Sequence, residues 1–132
     1  MKYTDIEIKD LIYKLIKASD IPKRVTGKVY KVPRPVNSQL EDVVISVVAR
    51  SASEIQSFSV NVNLYVPDIK REDDYIENTV RLRELGRLCF DFFETIVKDN
   101  YILNMDEQEC QKVNDVNFHC ISNQLKLRII NE

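Results

Sequence analysis

Ser57-Phe58-Ser59-Val60-Asn61-Val62-Asn63-Leu64-Tyr65-Val66 alternates without a fault. Phe58, Val60, Val62, Leu64 and Val66 fall on one face; Ser57, Ser59, Asn61, Asn63 and Tyr65 fall on the other. A period of two is that of a β-strand with one face in a core. Pro67 stops it, because proline has no N–H to give to a ladder. Upstream, Val43, Ile45, Val47 and Ala49 alternate with Val44, Ser46, Val48 and Arg50. Both faces of Asp42–Arg50 are mostly apolar, which predicts a strand that is central or covered on both sides. The polar stretch Ser51-Ala52-Ser53-Glu54-Ile55-Gln56 joins the two as an antiparallel hairpin.

On either side of the hairpin the period changes to that of a helix. From Thr4 to Ser19, Ile8, Leu11, Ile12, Leu15 and Ile16 recur at i, i+3, i+4, i+7 and i+8. Thr4 and Glu7 have capping-box spacing, and Tyr3 and Ile8 stand where a hydrophobic staple would. Pro22 ends any continuation. The second helix is predicted from Asp74 or Tyr75 to Lys98, with Asp74 and Glu77 as a capping pair. Its stripe is Leu82, Leu85, Cys89, Phe92, Phe93 and Ile96, widened by Leu88, Phe90 and Val97 beyond the usual apolar arc. Gly86 lies inside that arc. A glycine there implies close approach of the helix backbone to the sheet or to another subunit, or a tolerated loss of helix propensity.

The remaining segments are shorter. Gly27–Val32 predicts a brief strand, and Pro33-Arg34-Pro35-Val36-Asn37-Ser38 an extended connector. Lys70–Asp74 is a charged loop, and Tyr101–Met105 a short strand. Asp106–Lys112 is polar and acidic. Asn117–Ile121 and Leu125–Ile130 form a terminal hairpin around Ser122-Asn123-Gln124. The order is therefore α-β-β-β-α-β-β-β. It predicts one α+β domain over residues 1–132, with a largely antiparallel sheet and two helices packed on one face. The contacts expected there are Ile8, Leu11 and Leu15 from the first helix, and Leu85, Cys89, Phe92 and Ile96 from the second.

A chain of 132 residues that is 44% apolar and 30% charged is ordinary globular material, long enough to bury a core without disulfide or metal. No apolar run approaches the ~20 residues of a membrane span, and Met1-Lys2-Tyr3-Thr4-Asp5 does not open a signal peptide. Cys89, Cys110 and Cys120 are odd in number and irregularly spaced, which is not a disulfide framework. Cys110, His119 and Cys120 lack metal-ligand spacing, since adjacent strand residues point to opposite faces. His119 is the lone histidine, and no nucleophile elbow, phosphate-binding glycine loop or H-E-x-x-H pattern accompanies it. The acidic runs Glu72-Asp73-Asp74 and Asp106-Glu107…Glu109 suit oxygen ligation of a divalent ion, but such runs are more often solvated loops or the start of a helix. The expectation is no enzyme, no cofactor and no metal.

What stands out is distribution. Residues 1–34 hold nine Lys/Arg against four Asp/Glu, a balance of +5, so the remainder carries -7 of the net -2. Lys28, Lys31 and Arg34 cluster in and around the first strand. Three readings compete: a nucleic-acid patch, a contact with the acidic part of a second copy, or a lysine-protected edge. Aromatic interleaving and nucleic-acid motifs are missing, so no sequence-specific nucleic-acid partner is expected. The strand face Ser57, Ser59, Asn61, Asn63 is short, polar and uncharged, as suits a face that meets other protein. Together Lys28, Lys31, Arg34, Ser57, Ser59, Asn61 and Asn63 form the candidate subunit interface.

The order of elements resembles a known family. An N-terminal helix precedes Gly27-Lys28-Val29-Tyr30, then the connector Pro33–Ser38, the strand Asp42-Val43-Val44-Ile45, the strand Val60–Val66 with Pro67, and a helix rich in Leu and Phe. This arrangement resembles the tail-terminator (tail-completion) proteins of long-tailed phages and prophages, over residues 4–98. The resemblance implies a virion structural protein without catalytic residues. It implies a homo-oligomeric ring, usually a hexamer, that caps the tail tube and supports head–tail joining. Tail-tube and head-completion proteins are its implied partners, and the virion, with the host cytoplasm during assembly, its implied location. Another neck or tail adaptor, or a small cytosolic interaction module, is the alternative.

Overall fold

The computed structural model describes residues 3–50 and 56–130, with backbone alone for Ala49 and Arg50. The helices are α1 (Asp5–Lys17), α2 (Ile21–Arg24) and α3 (Thr79–Phe93). The strands are β1 (Val29–Tyr30), β2 (Val43–Arg50), β3 (Ser57–Pro67), β4 (Ile69–Arg71), β5 (Asp74–Ile76), β6 (Thr95–Val97), β7 (Tyr101–Lys112) and β8 (Phe118–Ile129). Six strands form one sheet in the order β1-β2-β3-β8-β7-β6; β4 and β5 form a separate hairpin. Among the described residues only the β1–β2 pair is parallel. The chain is thus α+β with a largely antiparallel sheet, as its patterning predicts. The 51–55 part of the predicted loop lies outside the described residues.

The alternation of β3 decides the layers. Phe58, Val60, Val62, Leu64 and Val66 are buried on one side, opposite Leu127, Leu125, Asn123, Ile121 and His119 of β8. Val43, Ile45 and Val47 of β2 extend that face. Both long helices cover it. α1 starts on the capping box: Glu7 N–H donates to Thr4 Oγ1 at 3.2 Å, and Thr4 N–H to Glu7 Oε1 at 2.9 Å. It buries Ile8, Ile12 and Ile16, while Leu11 and Leu15 pack at the core margin. α3 buries Leu82, Leu85, Cys89 and Phe93; Phe92, expected in the core, is half-buried beside Phe93.

Four segments depart from expectation, each for a local reason. α3 begins at Thr79, not near Asp74. Asp74 instead accepts both Arg71 fork hydrogens, at 3.1 and 2.7 Å, across the β4–β5 hairpin, whose turn holds Glu72 at φ 47. Asn78 is the true cap, accepting from Arg81 N–H at 3.2 Å. α3 stops at Phe93 because the β-branched run Thr95-Ile96-Val97 joins the sheet edge as β6. The polar segment Asp106–Lys112 continues β7 and, apart from the half-buried Gln108, is exposed because beyond β6 it is the open edge of the sheet. The expected terminal hairpin is one strand, β8, and the β7–β8 turn lies at 113–117. Ser122-Asn123-Gln124 has turn composition, yet Asn123 is buried and satisfied. Its Nδ2 donates to Val62 O at 3.0 Å, and its Oδ1 accepts from Gln108 Nε2 at 2.8 Å. The same Nε2 donates to Gly86 O at 2.9 Å, so the glycine marks where α3 meets the sheet.

A Cβ on Gly86 would meet Gln108 Oε1 at 3.4 Å and Ile121 Cδ1 at 4.0 Å, ordinary contacts. Gly86→Ala is therefore expected to raise stability by about 0.5–1 kcal/mol through helix propensity and a less flexible unfolded chain. Urea unfolding checks this; a loss of stability would mean that α3 sits closer to β7 than described. Gly27 differs. A Cβ there would collide with Asp42 Oδ1 and the Glu41 carbonyl, so only glycine fits.

Candidate assembly face

The side of the sheet away from the helices carries the candidate residues. Its rows follow from the strand registers. Ser57 lies beside Arg128 and Ile102, and Ser59 beside Lys126 and Asn104. Asn61 lies between Ser46 and Gln124, with Glu107 beyond, and Asn63 between Val44 and Ser122, with Glu109 beyond. α1 meets β1 and β2, and α3 meets β6, β7 and β8, both through the apolar side. Among the described residues no helix covers the polar side. Its middle is uncharged, with Lys126 and Arg128 toward one end and Glu107 and Glu109 toward the other. Glu109 holds the Glu107 carboxyl above its usual range, chiefly by a hydrogen bond and then by like charge.

One end of this face is covered by the connector between β1 and β2. The Arg34 guanidinium lies 4.6 Å from the Tyr65 ring centroid and 4.4 Å from that of Phe118. Cation–π contact of this kind holds the connector down and buries Cys120 and Phe118. Arg34 Nε also donates to Asp42 Oδ2 at 3.0 Å, and its Nη2 to Ser38 O at 3.0 Å. Asp42 is fully buried and accepts further from Lys28 N–H at 3.1 Å and Ser38 Oγ–H at 2.5 Å. A second clamp fixes the other end of the connector. Arg81 grips both Glu41 oxygens, at 2.6 and 2.7 Å, and reaches the Arg24 carbonyl.

The structure brings Lys31, Arg34 and Asn63 together around a concavity of about 430 Å³, with Val44, Ser46 and Tyr65. Ser57, Ser59 and Asn61 continue in line from Asn63 along β3. Lys28 is exposed but stands outside the concavity. Lys31 is exposed, paired with Asp10 at 2.8 Å and placed over Tyr13. The Arg34 charge is engaged within the protomer. Asn63 Oδ1 and Asn104 Oδ1, both on this face, are buried acceptors without a hydrogen-bond donor. Unmet acceptors are costly alone and are relieved by a partner's donors or by water.

Lys126, Arg128, Gln124, Asn104, Glu107 and Glu109 belong to the face but are missed when Asp106–Lys112 is read only as a polar, acidic run and Asn117–Ile121 with Leu125–Ile130 as a terminal hairpin. The alternation Leu125, Leu127, Ile129 against Lys126, Arg128 was the available signal.

Other candidate chemistry is dispersed. His119 and Cys120 project to opposite sides of β8, and among the described residues no three His, Cys, Asp or Glu side chains converge. His119 Nδ1 lies 2.7 Å from Asp68 Oδ1, a structural pair at the root of the β4–β5 hairpin. Burial pushes the Cys89 and Cys120 thiols up to about 12, whereas Cys110 is exposed. A maleimide near neutral pH is therefore expected to add once to the native protein, at Cys110. Peptide mass spectrometry reads the site; equal labelling of Cys89 would contradict the core described here.

Among the described residues no helix is long and apolar enough to cross a membrane. No protein-family model matches the chain. No curated protein matches its sequence. Among solved structures, a chain from the virion of a native gene transfer agent (GTA) particle superposes with a TM-score of 0.62 at 10% identity, over 97% of this chain and 98% of that one. Nearly end to end, this protein has the fold of that virion component.

Proposed function

We propose that this chain is a virion structural protein of long-tailed-phage type, acting by self-assembly and not by catalysis. In this reading it forms a ring, of tail-terminator kind, that caps the tail tube and presents a surface for head joining. Its partners are copies of itself, tail-tube proteins and head-completion proteins. It resides in the virion, and in the host cytoplasm during assembly. The observation that carries the reading is the end-to-end fold likeness to a gene transfer agent virion component. The sheet face with two unmet amide oxygens supports it as a surface made to be covered. Lys28, Lys31, Ser57, Ser59, Asn61 and Asn63 are the proposed contact residues of the assembly, with Arg34 positioning the connector beside them.

A ring contact is heterologous, so two different patches of one protomer must match. Light scattering over a concentration series, with and without purified tail tubes, followed by particle imaging, tests this. Rings, or caps on tube ends, are the expected result. A strict monomer that ignores tubes would overturn the terminator reading in favour of a neck adaptor.

A further inference from the structure

Two strands of the main sheet are only partly covered along their outer edges. β1 pairs with Val43 and Val44 of β2, and β6 with Ile102, Leu103 and Asn104 of β7. Among the described residues, the outer edges of 45–50 and 107–112 have no strand partner. Strand alternation fixes which groups point outward. Val43 N–H points to β1, donating to Lys28 O at 2.9 Å, so Ile45 and Val47 point to that same side. Val113 N–H points to β8, donating to Phe118 O at 3.0 Å, so Gln108, Cys110 and Lys112 point away from it.

The two edges differ in kind. Val43 to Ala49 carries no charge and Val48 is 59% exposed, so ahead of the bulge between Val47 and Ala49 no charge within the strand itself opposes strand addition. Lys9 and Lys31 flank it at the concavity beside Val44–Ser46. The β7 edge carries Glu107 and Glu109, with Asp106 at the bulge. Like charges facing each other disfavour pairing of two β7 edges, while the lysine-flanked β2 edge complements them.

Resting on the ring reading above, we propose that the β2 edge of one copy pairs antiparallel with the β7 edge of the next, with Val47 opposite Cys110. β2 and β7 run in opposite directions within the sheet, so a rotation about an axis near the strands brings them together antiparallel. The short strands act as stops. Within one protomer Ile45 shares a row with Gln108, and Val43 with Cys110. A copy placed without offset would set β6 against the free part of β2. Sliding by four residues, about 13 Å, clears both β1 and β6. Four strands per protomer span about 19 Å, so this offset inclines the strands by about 35°, at the edge of the ~35–45° found in closed barrels. Val47 and Cys110 both belong to the helix side, so the helix layer and the polar face each stay continuous between copies.

Ser46 and Gln111 then form a non-hydrogen-bonded pair on the polar side, where cross-strand Cα atoms lie about 4.5 Å apart, within disulfide reach. In a Cys110→Ser background, Ser46→Cys with Gln111→Cys should give on oxidation a ladder of covalent oligomers. Ser46→Cys with Glu109→Cys, out of register, should give none. Cys110→Pro leaves the β7–β8 ladder intact because that N–H points outward. It should fold by circular dichroism yet lose rings and tube caps. Rings that persist in Cys110→Pro, or Ser46→Cys alone yielding only a disulfide dimer, would overturn the edge contact and leave the ring standing. Absence of rings and caps in the unaltered protein would overturn the ring reading itself.

Discussion

Asp42→Ala is expected to destabilise the protein by about 3–5 kcal/mol, the usual cost of removing one partner from a buried ion pair. The Asp42 carboxylate is fully buried and accepts from Arg34 Nε, Ser38 Oγ and Lys28 N. Alanine leaves all three donors without it, and the Arg34 side chain is only 15% exposed. The connector would then lose its anchor, and Arg34 its hold over Tyr65 and Phe118. Asp42→Asn keeps the shape and one acceptor, so it should cost less. Urea denaturation monitored by far-UV circular dichroism measures both. An Asp42→Ala midpoint equal to that of the unaltered protein would show that the clamp contributes nothing.

Phe93→Ala is expected to cost about 3–5 kcal/mol as well, by lost transfer energy and the cavity left behind. Phe93 is 0% exposed in the layer between α3 and the sheet. Phe92 meets it edge-on at 4.9 Å but is half-buried at the core margin. Phe92→Ala should therefore cost clearly less. The comparison discriminates, because helical periodicity alone places Phe92 on the inner stripe. If Phe92→Ala proved the more damaging, α3 would be rotated from the orientation described.

What the sequence reveals here depends on how local the determining interaction is. The alternation of Ser57–Val66 and the Thr4–Glu7 capping box are contained within a few residues, and both stand in the structure as written. Ser122-Asn123-Gln124 looks like a turn until Gln108 and Val62 supply partners for the Asn123 amide, and those lie 15 and 61 residues away. Asp106–Lys112 shows no strand period because beyond β6 it is the open, largely exposed edge of the sheet and is interrupted by a bulge at Asp106. Ile69–Ile76 is a hairpin exposed on both sides, so it carries no hydrophobic period. The candidate assembly face is half legible. β3 announces its uncharged row, but the β7 and β8 rows beside it depend on pairings that composition does not encode. Arg34 illustrates the opposite error. Its charge belongs to a surface cluster by sequence, and to a buried carboxylate by structure.

The β3–β8 ladder joins Ser57 to Arg128 and Pro67 to Phe118, the ends of a long stretch of chain. Such non-local pairing slows folding, because loop closure precedes any reward from contact. During synthesis β2 and β3 emerge as a hairpin well before β8 leaves the ribosome, with one long edge of β3 bare. Val60, Val62 and Leu64 then have no β8 beside them. Until the last strand arrives, the nascent chain is an open template for aggregation, and a quality-control system that holds it would raise the yield of assembly-competent protomers.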